Sequence, residues 1–134
     1  MADDVREKLQ SVLQELRRLP DVLAVAIARR DGIMIAHSLP RTMDPRRIAA
    51  MAASIVGTSE MAAEEVGQGP FVESIVESRD SKMLATGAGE EAILVTMVRT
   101  DANMGLVLIS VDRAVSTIAN LLAGPATESP EVRA

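Results

Sequence analysis

The stretch from Ile48 to Ala63, IAAMAASIVGTSEMAA, carries no charge until Glu60 and has little to show to water on either side. A helix of this kind has to be covered on two faces, so it constrains the fold more than any other segment. The sequence before it announces a helix start. Asp44 can cap, Pro45 suits the first helical position, and Met43 can pack on Ile48. The helix is expected to run to about Val66, with Gly67 as its stop. At the helical period, Ile48, Ala52, Ile55, Ser59, Ala62 and Val66 fall on one arc, expected to lie on the protein's own sheet. The opposite arc holds Ala50, Ser54, Gly57 and Met61. Alanine is the best helix former and an alanine-rich outer face is tolerated for that reason alone. Gly57, however, costs about 1 kcal/mol of helix propensity, and that favours a packing role. Side chains this small let a second helix approach closely. Glu60, Glu64 and Glu65 then mark the rim.

The flanking segments alternate in type. Val5, Leu9, Val12, Leu13 and Leu16 recur at helical spacing, giving a first helix from about Asp4 to Leu19 before Pro20. VLAVAIA (22–28) and IMIAHSL (33–39) are strand-like runs joined by RRDG, whose Asp31-Gly32 pair favours a tight hairpin turn. After the middle helix, FVESIVES and SKMLATG are two more strands around RDS. EAILVTMV follows as a continuous apolar run suited to a central strand. The closing run MGLVLISVDRAVSTIANLLAG keeps helical spacing at Leu108, Val111, Val115, Ile118 and Leu122 up to Gly124, while its first part is β-branched enough to read as a strand as well. The tail at 125–134, with two of its residues proline and little apolar content, is expected to be disordered. The domain is therefore 3–124, in the order α-β-β-α-β-β-β-α. Five strands have two faces and three helices must cover them, so the fold class is α/β: three layers, α-β-α, around one mainly antiparallel five-stranded sheet.

Composition narrows the function. The chain has 134 residues, 48% apolar, with Phe71 its one aromatic, so its core is built from aliphatic side chains, methionine and alanine. Such a core leaves self-association a useful source of extra stability. A net charge of −5 disfavours nucleic acid and anionic membranes as partners. The absence of cysteine fits a reducing compartment. With no basic leader, and no uncharged apolar stretch near the ~18 residues of a span, a cytoplasmic protein without membrane insertion is expected. No P-loop is present. The single His37 has no second histidine or cysteine with which to share a metal, and GAGEE reads as a hairpin turn. No nucleophile has a convincing base, so neither an autonomous enzyme nor a cofactor is expected.

The segments LPDVLAVAI, DGIMIAHS, IAAMAASIVGTSEMAAEEVG and DANMGLVLISVDRAVSTIANLL, in this order, resemble the Roadblock family. Its members have a profilin-like fold and include a dynein light chain and regulators of small Ras-like GTPases. The resemblance spans roughly Val5 to Leu122. It implies a homodimer formed through the middle helix and the following strand, and a closing segment that is helical from about Asn103 onward. On this reading the dimer interface is Ala50, Ser54, Gly57 and Met61 with Val72, Ser74, Ile75 and Val76, and the strand pairing centres near Ser74 or Ile75. Arg46, Arg47, Thr58 and Glu64 would face a GTPase. An inserted catalytic arginine is disfavoured, because charges beside a turn and in a first helical turn are usually solvated. The expected function is a homodimeric module that binds and regulates a Ras-like small GTPase. The alternative is a structural adaptor in a larger complex with no nucleotide-dependent partner, and a third reading, a small-ligand sensor, would need a ligand in the fold.

Overall fold

The computed structural model describes residues 2–124, so the expected disordered tail lies outside the described residues. Helix α1 (Ala2–Arg17) is followed by the hairpin of β1 (Val22–Arg29) and β2 (Met34–Ser38). Gly32 turns that hairpin at φ 93°, the left-handed region that glycine adopts without strain. Helix α2 (Pro45–Glu65) begins as expected: Asp44 accepts a hydrogen bond from the Arg46 amide at 3.0 Å, and Gly67 follows the helix at φ 65°. Strands β3 (Glu73–Glu77), β4 (Ser81–Ala88) and β5 (Ala92–Arg99) form a meander. Helix α3 (Met104–Ala123) closes the described chain, its first turn capped by the Asn103 side chain, which accepts from the Leu106 amide at 3.2 Å.

The strands stand in the order β2-β1-β5-β4-β3, every neighbouring pair antiparallel. The most continuous apolar run, β5, is indeed central, and seven of its eight residues are buried or half-buried. The expected three layers are present. On one face, α1 and α3 set Leu9, Leu13, Leu16, Val107, Val111 and Ile118 against Val25, Ile27, Leu84 and Leu94. On the other, α2 sets Ala52 and Val56 against Ala26, Ala85, Ile93 and Val95.

Two helices are rotated from their expected orientation. In α2 the buried stripe is Ala49, Ala52, Val56 and Ala63. Ile48, Ile55 and Ser59 sit half-buried on its shoulder, while Ala62 and Val66 are exposed. Alanines let the helix settle close to the alanine-rich strands below, a fit that outweighs placing the larger isoleucines at the centre. In α3 the buried stripe is Val107, Val111, Ala114 and Ile118; Val115 and Leu122 pack at its margin, and Leu108 is exposed. The stripe keeps Val111 and Ile118 but takes Val107 in place of Leu108 and Ala114 in place of Val115, so the helix rests on its smaller side chains and turns Leu108 outward. With 20 residues and a mean hydropathy of 1.6, α3 is long and apolar enough by composition to cross a membrane, although Asp112 and Arg113 lie at its middle. Here its apolar stripe lies on the sheet.

Candidate interaction surface

Strand β3 is an edge. β4 pairs with one side of it, and no strand of the described chain pairs with the other. Its register, with Ser74 opposite Ala85, Ile75 opposite Leu84 and Val76 opposite Met83, puts Ser74 and Val76 on the α2 face and Ile75 on the α1/α3 face. The ladder proper starts at Glu73 and leaves Phe71 and Val72 just before it, and Phe71, outside the alternation, packs on the α2 side of the sheet. The Ser59 and Ser74 hydroxyls share a hydrogen bond of 2.5 Å, tying the C-terminal half of α2 to β3. Near this tie the molecule leaves large apolar side chains in water: Met61 is 70% exposed, Val66 66%, Val72 70% and Val76 41%. Exposed apolar side chains grouped in this way make a candidate surface for another protein.

The other sequence-derived site residues spread along α2. Ala50 and Ser54 are exposed, and a Cβ added at Gly57 would find no atom within 4 Å. The outer arc is thus open along its length in the single chain. Ala50 lies at the hairpin end, its Cα 3.7 Å from the place a Cβ on Gly32 would occupy. Arg46, Arg47, Thr58 and Glu64 lie along the same helix; Arg46, Arg47 and Glu64 form no ion pair among the described residues. Ser74 is half-buried, and its hydroxyl already has a partner.

Glu60 departs from the rim position expected of it. It pairs with Arg30, whose guanidinium also donates to the carbonyls of Gly89 at 3.0 Å and Ala92 at 3.3 Å. This clasp fixes α2 to the ends of both hairpins. Gly87 makes room for it, since a Cβ there would lie 2.8 Å from Arg30 Nη2. Sequence reading missed the clasp because Arg30, Glu60 and Gly87 are far apart in the chain; the glycine inside a strand was its one visible trace. Met51 is a further exposed apolar residue of α2 that the small-residue stripe passed over. His37 lies exposed on β2, and no group of three or more candidate metal ligands gathers among the described residues.

Comparison with known proteins accords with this geometry. The Roadblock/LC7 domain family matches residues 8–97. An uncharacterised protein of Methanocaldococcus jannaschii is 33% identical over 110 residues, which is 82% of this chain and 96% of that protein. Among solved structures, Myxococcus xanthus MglB superposes with a TM-score of 0.82 at 18% identity, covering 88% of this chain and 90% of the other. The gliding protein MglB of Thermus thermophilus gives a TM-score of 0.80 at 23% identity, over 87% and 90% of the two chains.

Proposed function

The chain belongs to the Roadblock/LC7 family of interaction modules, and from that premise we propose that it is a cytoplasmic homodimer that binds and regulates a Ras-like small GTPase without an active site of its own. The observation that carries the self-association is the open edge of β3 flanked by Val72, Val76, Met61 and Val66. Pairing β3 with its own copy about a two-fold axis would extend both sheets into one and cover this patch. The acidic residues choose the register. Centred on Ile75, the pairing would set Glu73 against the partner's Glu77, two like charges face to face. Centred on Ser74, it sets Glu73 against Ile75 and Val72 against Val76, which removes the repulsion and buries two valine pairs. Ser74 is therefore the centre.

Dimerisation of this kind leaves the outer arc of α2 with Arg46, Arg47, Thr58 and Glu64 as the surface offered to the GTPase. The mixed charges of that arc suit recognition of a polar surface, and regulation follows from binding that differs between nucleotide states. Size-exclusion chromatography with light scattering tests the dimer: a single chain at micromolar concentration would refute it. Titration against GTPases of the source organism, loaded with GDP or a GTP analogue, tests the rest. Affinity that depends on the nucleotide supports regulation, and equal affinity for both forms points to a structural adaptor.

A further inference from the structure

The two edges of the sheet are built differently. β3 presents five consecutive residues in unbroken register with β4, and no side chain of the described residues donates to its backbone. β2, at the far edge, is interrupted: its register with β1 shifts between Ile27 and Ala28, and Ile35 is left out of the ladder as a bulge. Helix α1 takes hold of this broken strand. Arg6 Nη1 donates to the Ile35 carbonyl at 3.0 Å, the acceptor the bulge sets free. Arg17 Nη1 donates to both the carbonyl and the hydroxyl of Ser38, at 2.9 and 2.8 Å, where β2 ends. The two arginines are eleven residues apart, about three helical turns, so they project from one side of α1 onto the two halves of β2.

An unprotected edge invites another strand, and proteins blunt edges with bulges and with charge. We propose that Arg6 and Arg17 close the β2 edge against a second copy of this chain, so that self-pairing through β3 ends at two subunits instead of growing from edge to edge. A strand arriving at β2 would have to remove two guanidinium donors from carbonyls that they already satisfy, and would bring its own backbone against fixed positive charge. This assignment rests on the proposed pairing through β3 for the number two, while the closure of β2 itself stands on the bulge and the three arginine hydrogen bonds.

The chain contains no cysteine, so one placed on the outer strand is a clean reporter. His37→Cys, on an exposed position of β2, is made alone and together with Arg6→Ala and Arg17→Ala. Both proteins are oxidised at micromolar concentration and sized by light scattering. The proposal expects little cross-linking and no species above two chains with the arginines in place. Without them it expects at least a fivefold rise in disulfide-linked chains, with species of four or more. Arg6→Lys with Arg17→Lys, which keeps donors and charge, should restore most of the block. Cross-linking that is equal with and without the arginines overturns the proposal, as does an arginine-free protein, folded by circular dichroism, that adds no species. If the arginine-free protein fails to fold, Arg6→Ala alone, at an exposed bond, decides by the same cross-linking. A single-chain mass for the reporter protein with its arginines present would instead overturn the β3 pairing, and the cross-linking comparison would still judge the β2 edge.

Discussion

Truncating Val72 to alanine isolates the proposed β3 pairing from the stability of the fold. Val72 is 70% exposed in the single chain, so most of the area it can bury is buried only on association. The substitution removes two carbons, worth about 1.6 kcal/mol at full burial at ~0.8 kcal/mol each. Scaled by the exposed share, the loss on association is about 1 kcal/mol per chain, and a two-fold axis doubles it to about 2 kcal/mol, a roughly thirtyfold rise in the dimer Kd. The unfolding free energy of the separated chain should change by less than about 0.5 kcal/mol, because little of the side chain is covered there. Sedimentation equilibrium across a dilution series reads the first quantity, and urea unfolding below the Kd reads the second. Ile109→Ala is the control: that side chain is 61% exposed on α3, on the opposite face of the sheet, and its loss should leave the Kd unchanged. A Val72→Ala protein whose Kd moves less than threefold would refute the pairing, and an equal effect from Ile109→Ala would refute its location.

Three further outcomes follow from the fold. Gly87→Ala forces the Arg30 guanidinium away from a new Cβ at 2.8 Å and should lower stability by about 1 kcal/mol; in a double-mutant cycle with Arg30→Ala most of that loss should vanish, and strict additivity would remove the clasp as its cause. Asn103→Ala deletes the acceptor for the Leu106 amide and should cost about 1 kcal/mol in urea unfolding, with an unchanged melt ruling out the cap. Asp101 accepts hydrogen bonds from Arg99, and that contact, with the attraction of its charge, holds the carboxyl below its ordinary value and raises Arg99. Since the folded-state value is depressed, the associated stability is present above the unfolded carboxyl's range and is lost as pH falls through the folded value. Both groups are exposed and the effect is small, so the check is the NMR titration midpoint of Asp101, which should rise toward the ordinary value in Arg99→Gln.

Element order, caps and layer count were legible because each rests on local chemistry. Asp44 before Pro45 and Gly32 in the hairpin act on their immediate neighbours, and both do so in the structure, whereas the cap that Asn103 gives α3 was not read from the sequence. The rotation of a helix about its axis is set by what lies beneath it, and is not local. In α2 the periodic arc through Ile48 and Ile55 assumed that the largest side chains seek the centre, whereas the strands below present Ala26 and Ala85 and accept alanines most closely. The same reason hid the clasp of Arg30, Glu60 and Gly87, three residues that only the folded chain brings together.

That rotation bears on where a partner would be met. If Ile48, Ala52, Ile55, Ser59, Ala62 and Val66 all faced the sheet, α2 would turn only its small-residue arc to a second subunit. With the buried stripe moved to Ala49, Ala52, Val56 and Ala63, the exposed Ala62 and Val66 join Met61 at the C-terminal half of the helix, the half tied to β3 by Ser59 and Ser74. Exposed apolar side chains thus gather at the β3 side of the helix, while Ala50, Ser54 and Gly57, with the larger Met51, stay open farther along it. A glutamate at Gly57 discriminates between the two uses of that arc, since its Cβ would meet no atom of its own chain. If the small-residue arc packs against a partner helix, Gly57→Glu abolishes the dimer by burying an unpaired charge. If the dimer is held at β3 and the arc faces a GTPase, the same substitution leaves the Kd of the dimer within about threefold and weakens only the GTPase complex. The pairing proposed through β3 predicts the second outcome, and light scattering on Gly57→Glu with and without the GTPase decides it.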